Sequence, residues 1–168
     1  MSGRLQRVAT AHLKGVRIMV SSDPRLDEAP AALQGTLLYV EDEPLNVALV
    51  EGILAQRHPG VRLIHAGTGA DGVRLARSEN PDFVLLDMHL PDMSGLEVVR
   101  QLNVEIANRG LRVTILTGDS LSMDIIKAMS LGAFEYWVKP LDVKLFEAGL
   151  RRALTGRRPD PARRLPQR

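Results

Sequence analysis

Between residues 36 and 155, short apolar runs alternate strictly with segments of helical spacing, and that alternation limits this chain to very few architectures. The runs are 36–40 (Thr-Leu-Leu-Tyr-Val), 61–66 (Val-Arg-Leu-Ile-His-Ala), 82–87 (Asp-Phe-Val-Leu-Leu-Asp), 111–117 (Leu-Arg-Val-Thr-Ile-Leu-Thr) and 133–138 (Ala-Phe-Glu-Tyr-Trp-Val). Behind Pro44, which suits a first helical turn, Leu45, Leu49 and Ile53 repeat at i, i+4. Thr68 is a cap for the second helix, and Ser94 caps a stripe of Leu96, Val99, Leu102 and Ile106. Ile125, Ile126 and Met129 are expected to face inward before a Leu131-Gly132 stop, and Val143, Phe146 and Leu150 form the last stripe. Five β-α units in succession predict an α/β protein with a parallel sheet and helices on both faces. Ligands of such sheets bind outside the carboxyl ends of the strands.

Polar groups gather at those ends. Asp87 closes the run Phe83-Val84-Leu85-Leu86, Glu41-Asp42-Glu43 follows Val40, Thr117 ends the fourth run and Lys139 follows the fifth. Each alone has a plainer reading. An Asp after a strand caps or turns, a Thr in an apolar run is an ordinary strand residue, acids before Pro44 favour a helix N-terminus, and Lys139-Pro140 reads as a turn. Four such groups on one rim point instead to phosphoryl chemistry on Asp87. A carboxylate can attack phosphorus and hold the group as an acyl phosphate. The anionic reactants need a divalent cation, and Mg²⁺ (or Mn²⁺) takes oxygen ligands from a few carboxylates. Asp42 and Asp87 are the expected direct ligands, with Glu41 acting through water. Lys139 offers a compact positive charge, and Thr117 a hydroxyl donor.

Charge is segregated along the 168 residues. Residues 1–22 hold four basic residues and no acid, residues 151–168 hold seven arginines against Asp160, and 23–150 hold eleven basic and nineteen acidic residues. The expected organisation is an N-terminal extension and linker over 1–35, loosely packed or disordered, a domain over 36–155, and a basic Arg/Pro-rich tail over 156–168. There is no cysteine, which excludes disulfides and thiolate metal sites. No apolar run reaches the ~18 residues of a membrane span, so a cytoplasmic location is expected. With no helix-turn-helix after residue 155, output is expected through protein contacts, without specific DNA binding; the arginines of the tail are expected to dock an acidic partner or the acidic body.

Val40-Glu41-Asp42-Glu43-Pro44-Leu45-Asn46, Leu85-Leu86-Asp87-Met88-His89-Leu90-Pro91-Asp92-Met93-Ser94-Gly95, Ile115-Leu116-Thr117-Gly118 and Tyr136-Trp137-Val138-Lys139-Pro140-Leu141 together resemble the receiver domain of two-component response regulators, of the stand-alone (CheY-like) type. The resemblance implies a flavodoxin-like (βα)5 three-layer sandwich with strand order 2-1-3-4-5. It implies that Asp87 accepts a phosphoryl group from a histidine kinase or histidine phosphotransfer protein, so that the chain is a signalling switch with slow autodephosphorylation rather than an enzyme. It further implies that Glu41 and Asp42 are the acidic pair, that His89 offers Mg²⁺ its backbone carbonyl, that Thr117 and Tyr136 move together on phosphorylation, and that the bond from Lys139 to Pro140 is cis. The readout face is then the fourth helix, fifth strand and fifth helix counted from Thr36, for a downstream protein target or a phosphorylation-dependent dimer. His89 and Asp119, two residues beyond Asp87 and Thr117, are expected to set phosphoryl lifetime.

Three other readings compete. Gly67-Thr68-Gly69-Ala70-Asp71-Gly72 is a literal G-x-G-x-x-G that follows a strand and opens a helix, with Asp87 as its ribose ligand in a dinucleotide-binding domain. It leaves Glu41, Asp42, Thr117 and Lys139 without roles. A haloacid-dehalogenase-type phosphatase needs a second Asp two residues past the nucleophile, where this chain has His89. A docking receiver that is never phosphorylated keeps the fold and loses the chemistry.

Overall fold

The computed structural model describes residues 9–13, 16–20, 32–118 and 122–155. Two units are separate, residues 1–32 and residues 33–168. In the first, β1 (Ala9–Leu13) and β2 (Val16–Val20) pair antiparallel with Ala9 opposite Val20. The sequence reading placed no element in this stretch.

The second unit is built on a five-stranded parallel sheet of β3 (Gly35–Val40), β4 (Val61–Ala66), β5 (Phe83–Asp87), β6 (Arg112–Thr117) and β7 (Glu135–Val138). The spatial order is β4-β3-β5-β6-β7, which is 2-1-3-4-5 counted from β3. Every residue of β5 is buried, the pattern of a central strand covered on both faces. One core layer lies under α2 (Gly69–Ser78), α3 (Gly95–Gln101), α4 (Asn103–Arg109) and α5 (Met123–Ser130) and includes Leu38, Val40, Val84, Leu86 and Ile115. The other lies under α1 (Pro44–Arg57) and α6 (Val143–Thr155) and includes Leu37, Tyr39, Phe83, Leu85 and Trp137. Alternate residues of each central strand thus feed opposite layers. Trp137 sits between Phe83 and Phe146, each ring pair 6.3 Å apart.

The helix starts follow local chemistry. Thr68 accepts from the Asp71 N–H, Ser94 from Glu97 and Ser122 from Ile125, and Pro44 opens α1 behind an extended Glu43. Three expectations need correction. The stripe Leu45, Leu49, Ile53 does not face the core along its length, since α1 buries Val50, Ile53 and Leu54 while Leu45 is 78% and Leu49 45% exposed. Each i, i+4 step advances by about 40° around the helix, so a stripe two steps long turns off a flat sheet. Ile126 points outward; Ile125 and Ala128 are the buried residues of α5. The helix drawn from Leu96 to Ile106 is two, α3 and α4, divided at Leu102, which is itself fully buried.

Candidate functional site

Parallel pairing brings the expected residues to one rim. Val40 lies opposite Leu86, Asp87 opposite Leu116, and Thr117 opposite Val138, so Glu41, Asp87, Thr117 and Lys139 emerge from four adjacent strands. The loop after Asp87 returns tightly. The Gly95 N–H donates to the Met88 carbonyl at 2.8 Å, and a Cβ at Gly95 would stand 2.8 Å from the Asp87 carbonyl oxygen, so only glycine fits. The Lys139–Pro140 peptide is cis, as expected, and the Lys139 N–H donates to the Thr117 carbonyl at 2.6 Å.

The Lys139 ammonium bridges two carboxylates, 2.9 Å from Asp87 Oδ2 and 3.3 Å from Glu41 Oε2. The Glu41 side chain is fully buried and Asp87 nearly so. Asp87 Oδ1 accepts from the His89 backbone N–H at 3.1 Å. Glu41 Oε2 also accepts from the Tyr39 hydroxyl and the Asn46 amide, each at 3.1 Å, while Oε1 accepts from the Glu43 N–H at 3.1 Å. His65 Nε2 lies 2.7 Å from the Glu41 carbonyl oxygen. Thr117 is buried and Tyr136 half-exposed. Asp119 lies outside the described residues, as does the arginine tail over 156–168.

The electrostatics are those of a crowded anionic site. Burial, reinforced by the nearby Glu41 charge, raises the Asp87 carboxyl above its usual value against the pull of Lys139 and the His89 N–H. Burial also opposes ionisation of Glu41, but the Glu43 N–H, the Lys139 ammonium, Tyr39 and Asn46 outweigh it and hold its carboxyl low. Lys139 is raised, because its two carboxylates outweigh the cost of burying it. The Tyr39 hydroxyl is pushed up by burial first and by Glu41 second.

One oxygen from each of Glu41, Asp42 and Asp87 lies within 4.8 Å of the other two. Three carboxylates cluster here, and the one ammonium among them pairs with Glu41 and Asp87 only, so the site in its ionised form carries a formal excess of negative charge that a divalent cation would balance. All the side-chain donors are hard oxygens, two buried and Asp42 exposed, which suits Mg²⁺ with waters completing its shell. The residues present fit the ion.

The glycine motif has another use. The first two N–H groups of α2 are taken by the Asp92 carboxylate, Gly69 N–H to Oδ1 at 2.7 Å and Ala70 N–H to Oδ2 at 2.9 Å. That is the place a pyrophosphate would need. Gly72 packs on Val40, where a Cβ would stand 2.8 Å from a Val40 methyl. The motif is turn, cap and packing.

Tyr39, Asn46 and Asp92 escaped the sequence reading. Tyr39 was visible in principle, two residues before Glu41 and therefore on the same strand face. Asn46 and Asp92 reach their partners only through tertiary structure.

A five-stranded parallel sheet in this order, sandwiched between helices with carboxylates on its carboxyl rim, defines a flavodoxin-like α/β protein. The receiver domain of sensor histidine kinase PA1611 from Pseudomonas aeruginosa, solved with a magnesium ion coordinated in its active-site cleft, covers 73% of this chain and 98% of its own at TM-score 0.64 and 26% identity. A model of the response regulator receiver domain matches residues 37–151, and this chain belongs to that family. Among curated relatives, Protein PilH of Pseudomonas aeruginosa is 32% identical over 71% of this chain and 98% of its own length. The probable transcriptional regulatory protein TcrX of Mycobacterium tuberculosis is 38% identical over 65% of this chain but only 45% of its own. The chain thus spans about half the length of such transcriptional regulators, AfsQ1 of Streptomyces coelicolor included at 50%. No helix among the described residues is long and apolar enough to cross a membrane.

Proposed function

We propose that the chain is a response regulator whose receiver domain accepts a phosphoryl group on Asp87 from a histidine kinase or phosphotransfer protein and passes the signal through protein contacts. The observation that carries this reading is the Lys139 ammonium shared between Asp87 Oδ2 and Glu41 Oε2 inside a three-carboxylate site. Asp42, Asp87 and the His89 backbone carbonyl are the groups that would hold Mg²⁺, with Glu41 contributing through water. The ion, when bound, neutralises charge on the phosphoryl oxygens.

An Asp87 carboxylate oxygen attacks phosphorus as the donor's imidazole nitrogen leaves, so one P–O bond replaces one P–N bond. Lys139 stands 2.9 Å from that carboxylate and moves onto a phosphoryl oxygen without leaving the site. Thr117 donates its hydroxyl to another. That draws the segment from Thr117 toward Tyr136 and biases an existing equilibrium of α5, β7 and α6, which are the fourth helix, fifth strand and fifth helix of the domain when α3 and α4 are counted as the one helix expected from the sequence. Six exposed large apolar side chains lie on this segment (Met123, Ile126, Phe134, Tyr136, Val138 and Leu145), as a protein-binding face requires. His89 sets how fast water reaches the acyl phosphate.

The test is labelling with acetyl phosphate and Mg²⁺. The wild-type chain takes up phosphate and Asp87→Ala does not, while its circular dichroism stays that of the folded domain. Labelling retained in that variant refutes the assignment, and none in the wild type leaves a docking receiver.

A further inference from the structure

Glu41 carries more donors than its place in the site calls for. Oε2 accepts from Tyr39, Asn46 and Lys139, and Oε1 from the Glu43 backbone N–H. A carboxylate offers about two lone-pair sites per oxygen, so Oε2 is saturated before any cation arrives. One of its donors comes from an unusual quarter. Tyr39 lies in the middle of the sheet, only 1% exposed, on a strand whose other described side chains at this depth are aliphatic. Its ring packs in the layer beneath α1 and α6, and its hydroxyl runs up the strand face to meet the carboxylate two residues on. With Asn46 and Lys139 it forms one wall of a cleft of about 350 Å³ beside the acidic site. A buried phenol needs an acceptor, and a long glutamate arm needs a fixed direction; each supplies the other.

We propose that Tyr39 is a positioning residue of the acidic site: with Asn46, it commits Oε2 of Glu41 to the Lys139 side and keeps that carboxylate from closing on a divalent cation, which is left to Asp42 and Asp87. This rests on the phosphoacceptor reading above. The geometry gives the reason such a restraint matters. An octahedral shell of oxygens at about 2.1 Å from Mg²⁺ places neighbouring ligands about 3 Å apart and opposite ones about 4.2 Å apart. An oxygen of Glu41 already lies within 4.8 Å of those of Asp42 and Asp87, and so is a short side-chain rotation from direct ligation. A third direct carboxylate would compete with the phosphoryl oxygen for the ion and draw Glu41 away from Lys139. The restraint keeps a coordination position open and the ammonium beside Asp87.

The experiment is Mg²⁺ titration by calorimetry of the full chain, its Tyr39→Phe and Asn46→Ala variants, and the same two changes in a Glu41→Asp background. Phe keeps the ring in the core, and urea unfolding confirms that each variant is folded. Losing one donor to a charged oxygen frees Glu41 for the ion, and the Mg²⁺ dissociation constant falls about threefold or more in Tyr39→Phe and moves the same way in Asn46→Ala. Shortening the arm by one methylene takes the carboxylate out of the hydroxyl's reach, so Tyr39→Phe changes nothing further in the Glu41→Asp background. An unchanged or weakened affinity in Tyr39→Phe overturns the inference, and so does an equal shift in both backgrounds, which would make ring packing the cause. A wild-type chain that binds no Mg²⁺ overturns the phosphoacceptor reading along with it.

Discussion

Replacing Lys139 by methionine keeps an unbranched apolar stem and removes the ammonium, with its charge and its donors to Asp87 and Glu41. Nζ of Lys139 is 2.9 Å from Asp87 Oδ2 and 3.3 Å from Glu41 Oε2, and both carboxylates are almost entirely out of solvent. Removing one member of a fully buried ion pair costs about 3–5 kcal/mol, because the remaining charge is stranded. Three features reduce that here. Glu41 keeps Tyr39, Asn46 and the Glu43 N–H, Asp87 keeps the His89 N–H, and Lys139 itself is 28% exposed. The expected loss is therefore about 2–3 kcal/mol at neutral pH, a fall of about 1–2 M in the urea midpoint measured in EDTA. Two further readouts separate this from a packing effect. Mg²⁺ supplies the missing positive charge, so a saturating concentration shrinks the deficit. Acid does so as well. The low-lying Glu41 carboxyl contributes stability that is present above its unfolded value and lost as pH falls through its folded one. In the variant there is no ammonium to hold that carboxyl down, so the two proteins converge as pH falls. A variant as stable as the wild type in EDTA, or a deficit indifferent to both Mg²⁺ and pH, refutes the reasoning.

Because burial raises the Asp87 carboxyl, Mg²⁺ must compete with a proton there at higher pH than at a surface aspartate. On acidification, Mg²⁺ affinity should thus begin to fall before the ordinary aspartate range is reached, and a calorimetric series that stays flat down to that range contradicts it. Gly95→Ala places a Cβ 2.8 Å from the Asp87 carbonyl oxygen and 2.9 Å from Met88 Cα, both backbone. It should cost about 1–3 kcal/mol in urea unfolding and slow phosphoryl uptake by shifting the acceptor; wild-type stability would show that the loop is slack. Gly149→Ala drives a Cβ into the Trp137 ring at Cζ2, so it should destabilise the domain and shift the emission of its single tryptophan, and an unchanged spectrum with full stability refutes the close packing of α6.

Much of the sheet was legible because burial on both faces demands apolar runs, and five such runs separated by helical spacing admit few topologies. The run 61–66 coincides with β4, and the caps Thr68 and Ser94 are where the side chains required them. What stayed hidden depends on the third dimension. Nothing local at Leu102 announces the division of α3 from α4, for neither glycine nor proline is there. Ile126 and Ile125 are equally apolar, and only the position of the sheet decides which one is buried. β1 and β2 are the pentapeptides Ala-Thr-Ala-His-Leu and Val-Arg-Ile-Met-Val, whose apolar content the basic residues around them mask. At the site, residue types at strand ends brought Glu41, Asp87, Thr117 and Lys139 together correctly on one rim. The donors that orient Glu41 could not be read from the same rule, since Asn46 comes from a helix and Tyr39 from inside the core.

The Asp92 carboxylate that closes the start of α2 has a mechanical consequence. It lies in the loop that leaves Asp87, so that loop is bolted to the neighbouring helix by two short hydrogen bonds. Arg77 of the same helix grips Glu105 and the Gln101 carbonyl beyond it. Asp87 thereby stands beside a frame of β5, α2, α3 and α4 tied together by these bonds. On the proposed reading, a group added to Asp87 meets that frame on one side and Thr117 and Lys139 on the other. On that reading, this bracing directs a change at Asp87 away from the braced side, toward Thr117 and Lys139.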